Sequence, residues 1–165
     1  MKRAASFITL MALTITFALT SEGQKEGFSG TWKLDRQKSV LSEYTPLLTK
    51  ITINIKGDSL LTQRFYDIGD GQEYPFDENI SLDGTESKIT IYEMPRKARA
   101  TWSDPDSSVN LESTITFYGS AGSEDFVSRE TWKIDKENNA LTINYVNKTS
   151  AGETTGYFFF TREAL

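Results

Sequence analysis

The stretch "FSGTWKLD", Phe28–Asp35, has an echo further along the chain in "RETWKID", Arg129–Asp135. Side chains of an extended strand alternate between two faces. In the first copy Phe28, Gly30, Trp32 and Leu34 therefore share one face, while Ser29, Thr31, Lys33 and Asp35 take the other. In the second, Trp132 and Ile134 oppose Thr131, Lys133 and Asp135. Each copy reads as a half-buried β-strand with an inward tryptophan that leaves the core through a solvated, aspartate-bearing turn. The flanks differ: "RQKSVLSEY" after the first copy is a long loop, and "KENNALTINY" after the second is a hairpin. A duplicated unit would extend the likeness. The echo is one structural demand met twice.

The same alternation continues on both sides of these strands, and no long stretch beyond Gly27 carries a helical stripe. "KITINIK", Lys50–Lys56, puts Ile51, Ile53 and Ile55 on one face and meets the tight turn Gly57-Asp58, with "SLLTQRFYD" as its partner strand. Further alternating runs follow at "KITIY", "VNLESTITFY", "ALTINYV" and "TGYFFFTRE". The class is all-β, with about 8–10 strands at spacings typical of antiparallel sandwiches and barrels. Nearly every connection is short enough for a hairpin, which gives an up-and-down meander. Twist accumulates in such a meander and closure removes its exposed edges, so an antiparallel β-barrel is expected over residues 28–165. The one longer early connection, Arg36–Leu48, is expected to carry a helical turn around Ser39–Tyr44, stopped by Pro46.

Ahead of the barrel, Lys2 and Arg3 precede an apolar run from Ala4 to Thr20 and the polar "SEGQKEG", the three-part pattern of a secretory signal peptide. Residues 1–20 are expected to be removed, with the cut before Ser21 or, as late as residue 23, before Gln24. Residues 21–27 would then be a flexible N-terminus, and the protein would be secreted or periplasmic. The 165 residues include 18 basic and 23 acidic ones, a net charge of −5, and neither histidine nor cysteine. The acidic balance argues against nucleic acid and anionic membranes as partners. With no thiol for a lipid anchor, no integral membrane association is expected after cleavage. The missing residue types remove imidazole or thiolate haem ligation, the usual zinc sites, the serine-histidine triad and thiol nucleophiles. No catalytic residue, metal or cofactor is assigned, and the oligomeric state stays open.

"FSGTW", Phe28–Trp32, directly after a signal peptide and at the head of a meander, resembles the Gly-x-Trp opening of the calycin superfamily, which comprises lipocalins, fatty-acid-binding proteins and bacterial lipocalin-like relatives. The resemblance implies that this tryptophan closes one barrel end under an arginine from the last strand. Gly30, Trp32 and Arg162, the last in "YFFFTRE", stand at the matching places. A guanidinium can stack on indole while its donors satisfy backbone carbonyls at the barrel end. "GTWKLD" is also similar to intracellular fatty-acid-binding proteins. This chain has too short a first connection for the two helices of that family, and it carries "YFFF" where the family has an Arg-x-Tyr carboxylate clamp. The closer likeness is to small exported lipocalin-like proteins of bacteria.

In a closed barrel, alternation assigns Ile53, Phe65, Ile91, Ile115, Phe117, Ile143 and Tyr145 to the interior. They would line a cavity for a small hydrophobic or amphipathic molecule, or else fill a solid core. Arg64, Arg99 and Arg129 lie within strands, and one turned inward would orient a ligand carboxylate; the cost of an unpaired buried charge favours water instead. "GYFFF", Gly156–Phe160, is aromatic on both faces, so one face needs cover from the N-terminal segment near Phe28, a second subunit or a ligand at the barrel mouth. The loop Asp67–Glu78 holds five carboxylates and two glycines but lacks calcium-loop spacing, and reads as a solvated acidic loop. Asn79 and Asn147 head glycosylation-type triplets. The expected function is non-catalytic ligand binding by an exported barrel. The alternative is a protein-interaction or inhibitor module with a solid core.

Overall fold

The period-two pattern plays out as ten strands in the computed structural model, which describes residues 21–42, 47–104, 107–120 and 122–164. They are β1 (Gly30–Leu34), β2 (Leu47–Lys56), β3 (Ser59–Asp67), β4 (Glu73–Ser81), β5 (Ser87–Ile91), β6 (Met94–Ser103), β7 (Ser108–Gly119), β8 (Gly122–Asp135), β9 (Ala140–Thr149) and β10 (Gly152–Arg162). All belong to one sheet in the order β4-β3-β2-β1-β10-β9-β8-β7-β6-β5. Each paired neighbour is antiparallel, and β1 pairs with β10, so the expected up-and-down barrel forms and is nearly closed. The signal-peptide expectation for residues 1–20 lies outside the described residues.

The remaining seam runs between β4 and β5, the two ends of the sheet. Pro75 in β4 has no N–H to offer a further strand, as suits an edge. Side chains stitch the seam instead. Tyr92 Oη donates to the Pro75 carbonyl at 2.6 Å and Ser87 Oγ to the Asn79 carbonyl at 3.2 Å. Between them Arg96 of β6 grips Glu78 of β4 through Nε at 2.8 Å and Nη2 at 3.0 Å.

One barrel end is sealed around Trp32. Its indole N–H donates to the Phe28 carbonyl at 2.8 Å, and the Arg162 guanidinium lies 4.1 Å above the ring centroid. Arg162 also donates to Ser29 O at 2.5 Å, Gly27 O at 2.7 Å and Asn139 Oδ1 at 2.9 Å. Where the sequence offers a flexible lead-in over residues 21–27, a short helix, α1 (Ser21–Glu26), lies over this end. Lys25 pairs with Asp58 at 2.7 Å, Ser107 Oγ donates to Gln24 Oε1, and Phe28 is buried edge-on to Trp102.

The echoed aspartates do the same work twice. Asp35 Oδ1 accepts from the N–H groups of Gln37 and Lys38, and Asp135 Oδ1 from those of Glu137 and Asn138. Such side-chain to backbone bonds stabilise a turn at a strand end. After Asp35 the helical turn occupies Arg36–Lys38, earlier than the expected Ser39–Tyr44, because Asp35 caps it. Val40 then resumes the ladder, bridged to Tyr157 of β10. Tyr44 and Pro46 lie outside the described residues.

Candidate functional site

The barrel interior is divided along its axis. In the half toward Trp32, the side chains of Ile51, Ile53, Trp132, Leu141 and Ile143 are fully buried against one another. The half away from it opens into a cavity of about 490 Å³. Aromatic and aliphatic residues from β3 to β10 wall it, among them Tyr66, Phe76, Met94, Phe126 and Phe158. Its mouth is marked by Ile68, Tyr92 and Phe117, which line the cavity yet are 62%, 57% and 42% exposed.

Of the residues expected inside, Ile91, Ile115, Phe117 and Tyr145 line this cavity. Ile53 and Ile143 point inward but sit in the packed half, paired with Gly30 and Trp132 respectively, and do not reach it. Phe65 is a correction. Along β3 the inward positions are Leu60, Thr62, Arg64 and Tyr66, so Phe65 falls on the outer face beneath Lys50, whose Nζ lies 4.0 Å from the ring centroid. Apolar character alone favours Phe65 over Arg64 for the interior. What reverses it is an ion-pair partner for Arg64 on a strand far away in the sequence.

That partner is Glu130 of β8. Arg64 Nη1 and Nη2 donate to Glu130 Oε1 and Oε2 at 3.0 Å each, Nη1 also reaches Tyr66 Oη at 3.2 Å, and Trp132 Nε1 donates to Oε2 at 2.7 Å. The guanidinium stands 5.1 Å from the Trp132 ring, so both echoed tryptophans carry an arginine above them. Burial alone would raise the Glu130 carboxyl. The charge and paired hydrogen bonds of Arg64, the charge of Arg96 and the Trp132 N–H outweigh it and hold the group below the usual carboxylate range. Burial likewise works against the charge on Arg64, and Glu130 overrules it. A paired charge in a dry interior is tolerable where a single one is not.

Arg96–Glu78 is a second bidentate arginine–carboxylate pair, and one member of each, Arg96 and Glu130, reaches the cavity floor. Above the floor Ser113 of β7, Ser128 of β8 and Asn147 of β9 form one in-register row across three strands, each under a tenth exposed and each lining the cavity. Arg96, Glu78, Glu130 and this polar row escape a reading that follows apolar residues. Their signal is phase: Arg96 alternates with Ala98 and Ala100, and Glu130 with Ser128 and Trp132. Of the arginines singled out with Arg64 from the sequence, Arg99 pairs with Glu86 and Arg129 with Glu112, both on the outer surface.

The remaining candidates resolve into structure. In "GYFFF", Phe158 and Phe160 are inside, while Val40 pairs with the backbone of Tyr157 and Phe159 lies under Lys38 Nζ at 5.1 Å, so the Lys38–Val40 segment flanks and partly covers this strand, and the expected cover near Phe28 is instead buried against Trp102. Gly156 makes the room: a Cβ there would collide with the Val40 carbonyl and the Tyr145 hydroxyl. That hydroxyl accepts from the Ser42 N–H at 2.9 Å and donates to Val40 O at 3.4 Å, tying the segment to the cavity wall. The carboxylates of Asp67–Glu78 are dispersed: Glu73 opens β4, Asp77 binds Gln63 on the outside, Asp70 binds Tyr74, and Glu78 is inside with Arg96. Asn79 is exposed, whereas Asn147 faces inward. No model of a known protein family matches the chain, and no curated protein matches it.

Proposed function

We propose that the protein is an exported, non-catalytic binder of a small apolar or amphipathic molecule held in the barrel. The observation that carries this reading is the cavity of about 490 Å³ with aromatic walls and a polar floor. Small-molecule sites span roughly 300–1,000 Å³ and combine apolar lining with a few polar groups. The stack of Arg162 on Trp32 at the sealed end supports a calycin-type architecture, as the Gly30, Trp32 and Arg162 pattern implies. Absence of chemistry fits the interior carboxylates: Glu78 and Glu130 are each clasped by two guanidinium nitrogens, so neither is a free base. A protein-interaction module with a solid core is disfavoured by the open half of the barrel and by the partly covered outer face of β10.

Native mass spectrometry of protein purified from its own host tests the reading. A small-molecule adduct released on mild activation is expected, together with an intact mass beginning at Ser21 or Gln24. A reproducibly empty barrel would count against carriage, and an intact leader against export.

A further inference from the structure

We infer that the ligand carries an uncharged hydrogen-bonding head, such as an alcohol, amide or ketone, rather than a carboxylate or an ammonium group; this rests on the reading of the cavity as a ligand site. Charge sets the first half of the argument. One arginine and one glutamate, Arg96 and Glu130, reach the cavity wall, and each is matched by a partner that does not line the cavity, Glu78 and Arg64 respectively, at 2.8–3.0 Å. An ionised ligand would surrender its hydration without gaining an uncompensated counter-ion. A fatty carboxylate would lie beside Glu130, a wall residue held ionised by Arg64. Desolvating a charge without a counter-charge costs far more than forgoing one hydrogen bond. Arg96 uses Nε and Nη2 on Glu78, so what remains of it for a ligand is a donor rather than a net charge.

Polar geometry sets the second half. Ser113 and Ser128 are cross-strand partners, 3% and 7% exposed, and both line the cavity. Among the described residues neither hydroxyl has a hydrogen-bond partner. Apolar residues flank them on the wall, with Ile115 and Phe126 one inward step nearer the mouth. Two neutral hydroxyls, each able to donate and to accept, complement a ligand group that does the same. Leaving them unmatched against a purely hydrocarbon ligand costs binding energy. An amphipathic molecule would therefore enter with its apolar body against Phe76, Phe117 and Phe126 and its head at the serine pair.

Displacement of the neutral fluorophore N-phenylnaphthylamine from the purified protein tests the inference, using dodecanol, dodecanamide, dodecanoate and dodecyltrimethylammonium at neutral pH. The alcohol and amide are expected to displace it about tenfold more tightly than either ion. In the Ser113→Ala/Ser128→Ala double variant the ratio of alcohol or amide affinity to that of the two ions should fall severalfold. Dodecanoate or the ammonium binding as tightly as dodecanol would overturn the neutral-head assignment and leave carriage standing. An alcohol affinity untouched by the double variant would overturn the role of the serines. Failure of the protein to take up the fluorophore or any of the four would overturn the cavity reading and this inference with it.

Discussion

Gly30 shows how a single missing Cβ organises a barrel end. Its backbone φ is +143°, and a Cβ built there would stand 2.5 Å from Arg162 Nη1. The glycine thus makes space for the guanidinium that stacks on Trp32 and ties down the carbonyls of Gly27 and Ser29. Gly30→Ala is expected to lower unfolding free energy by about 2 kcal/mol, through strain at a positive φ and displacement of the stack. Arg162→Ala should cost about as much, since it removes the cation–π contact and several hydrogen bonds. Because both changes break one contact, the double variant should be clearly less than additive in urea unfolding. Full additivity would mean that Gly30 serves some purpose other than admitting Arg162.

The strands were legible because period-two alternation is written into them, but the phase of a strand is a different matter from its existence. In β3, Arg64 and Phe65 compete for the interior, and local sequence favours the phenylalanine. The winner is decided by Glu130, 66 residues away, which supplies the compensating charge. The same physics hides the Arg96–Glu78 pair, whose members join β6 to β4 across the seam that no backbone ladder closes. The β8 carboxylate also sets a pH dependence. Glu130 is held below the usual carboxylate range when folded, so the folded state binds a proton less readily than the unfolded chain. Its stabilising contribution is full at pH above the ordinary carboxylate range and is lost as pH falls through the folded value. Exposed Asp70, Asp83, Glu124 and Asp135 and half-buried Glu86 are shifted the same way by their hydrogen bonds and add to the trend. Glu130→Gln should lower stability at neutral pH by about 3 kcal/mol, because Arg64 keeps a buried, unmatched charge. It should also flatten the acid limb of the stability–pH curve. A limb as steep as the parent's would assign the acid response to the exposed carboxylates.

At the scale of the whole molecule, the barrel has a solid half and a hollow half, and this division was not legible in the sequence. Ile53, Ile91, Ile115 and Ile143 look alike as inward isoleucines, yet two sit in each half. The difference lies in how far along the axis the register carries each strand, which is set by the pairings of Gly30 with Ile53 and Trp132 with Ile143. Two indoles with their arginines fill the sealed half, each ring removing about 200 Å² from water and contributing up to about 5 kcal/mol. Among the described residues no indole fills the other half, where aromatic walls surround the cavity and serines and an asparagine occupy inward positions. Local opening is cheapest where few apolar contacts must be broken, so native-state hydrogen exchange should separate the two. Amides of Ile51, Ile53, Leu141 and Ile143 are expected to exchange only through global unfolding. Amides of Ile91, Met94, Phe117 and Phe126, nearer the mouth, should exchange through local opening and depend little on denaturant. Saturation with N-phenylnaphthylamine should slow the second group severalfold before it affects the first, because a ligand that fills the hollow half supplies there the contacts the chain omits. Uniform protection of both groups without ligand would make the barrel one cooperative unit, its hollow half held rigid by the seam pair Arg96–Glu78 and the cross-barrel pair Arg64–Glu130 rather than by a guest.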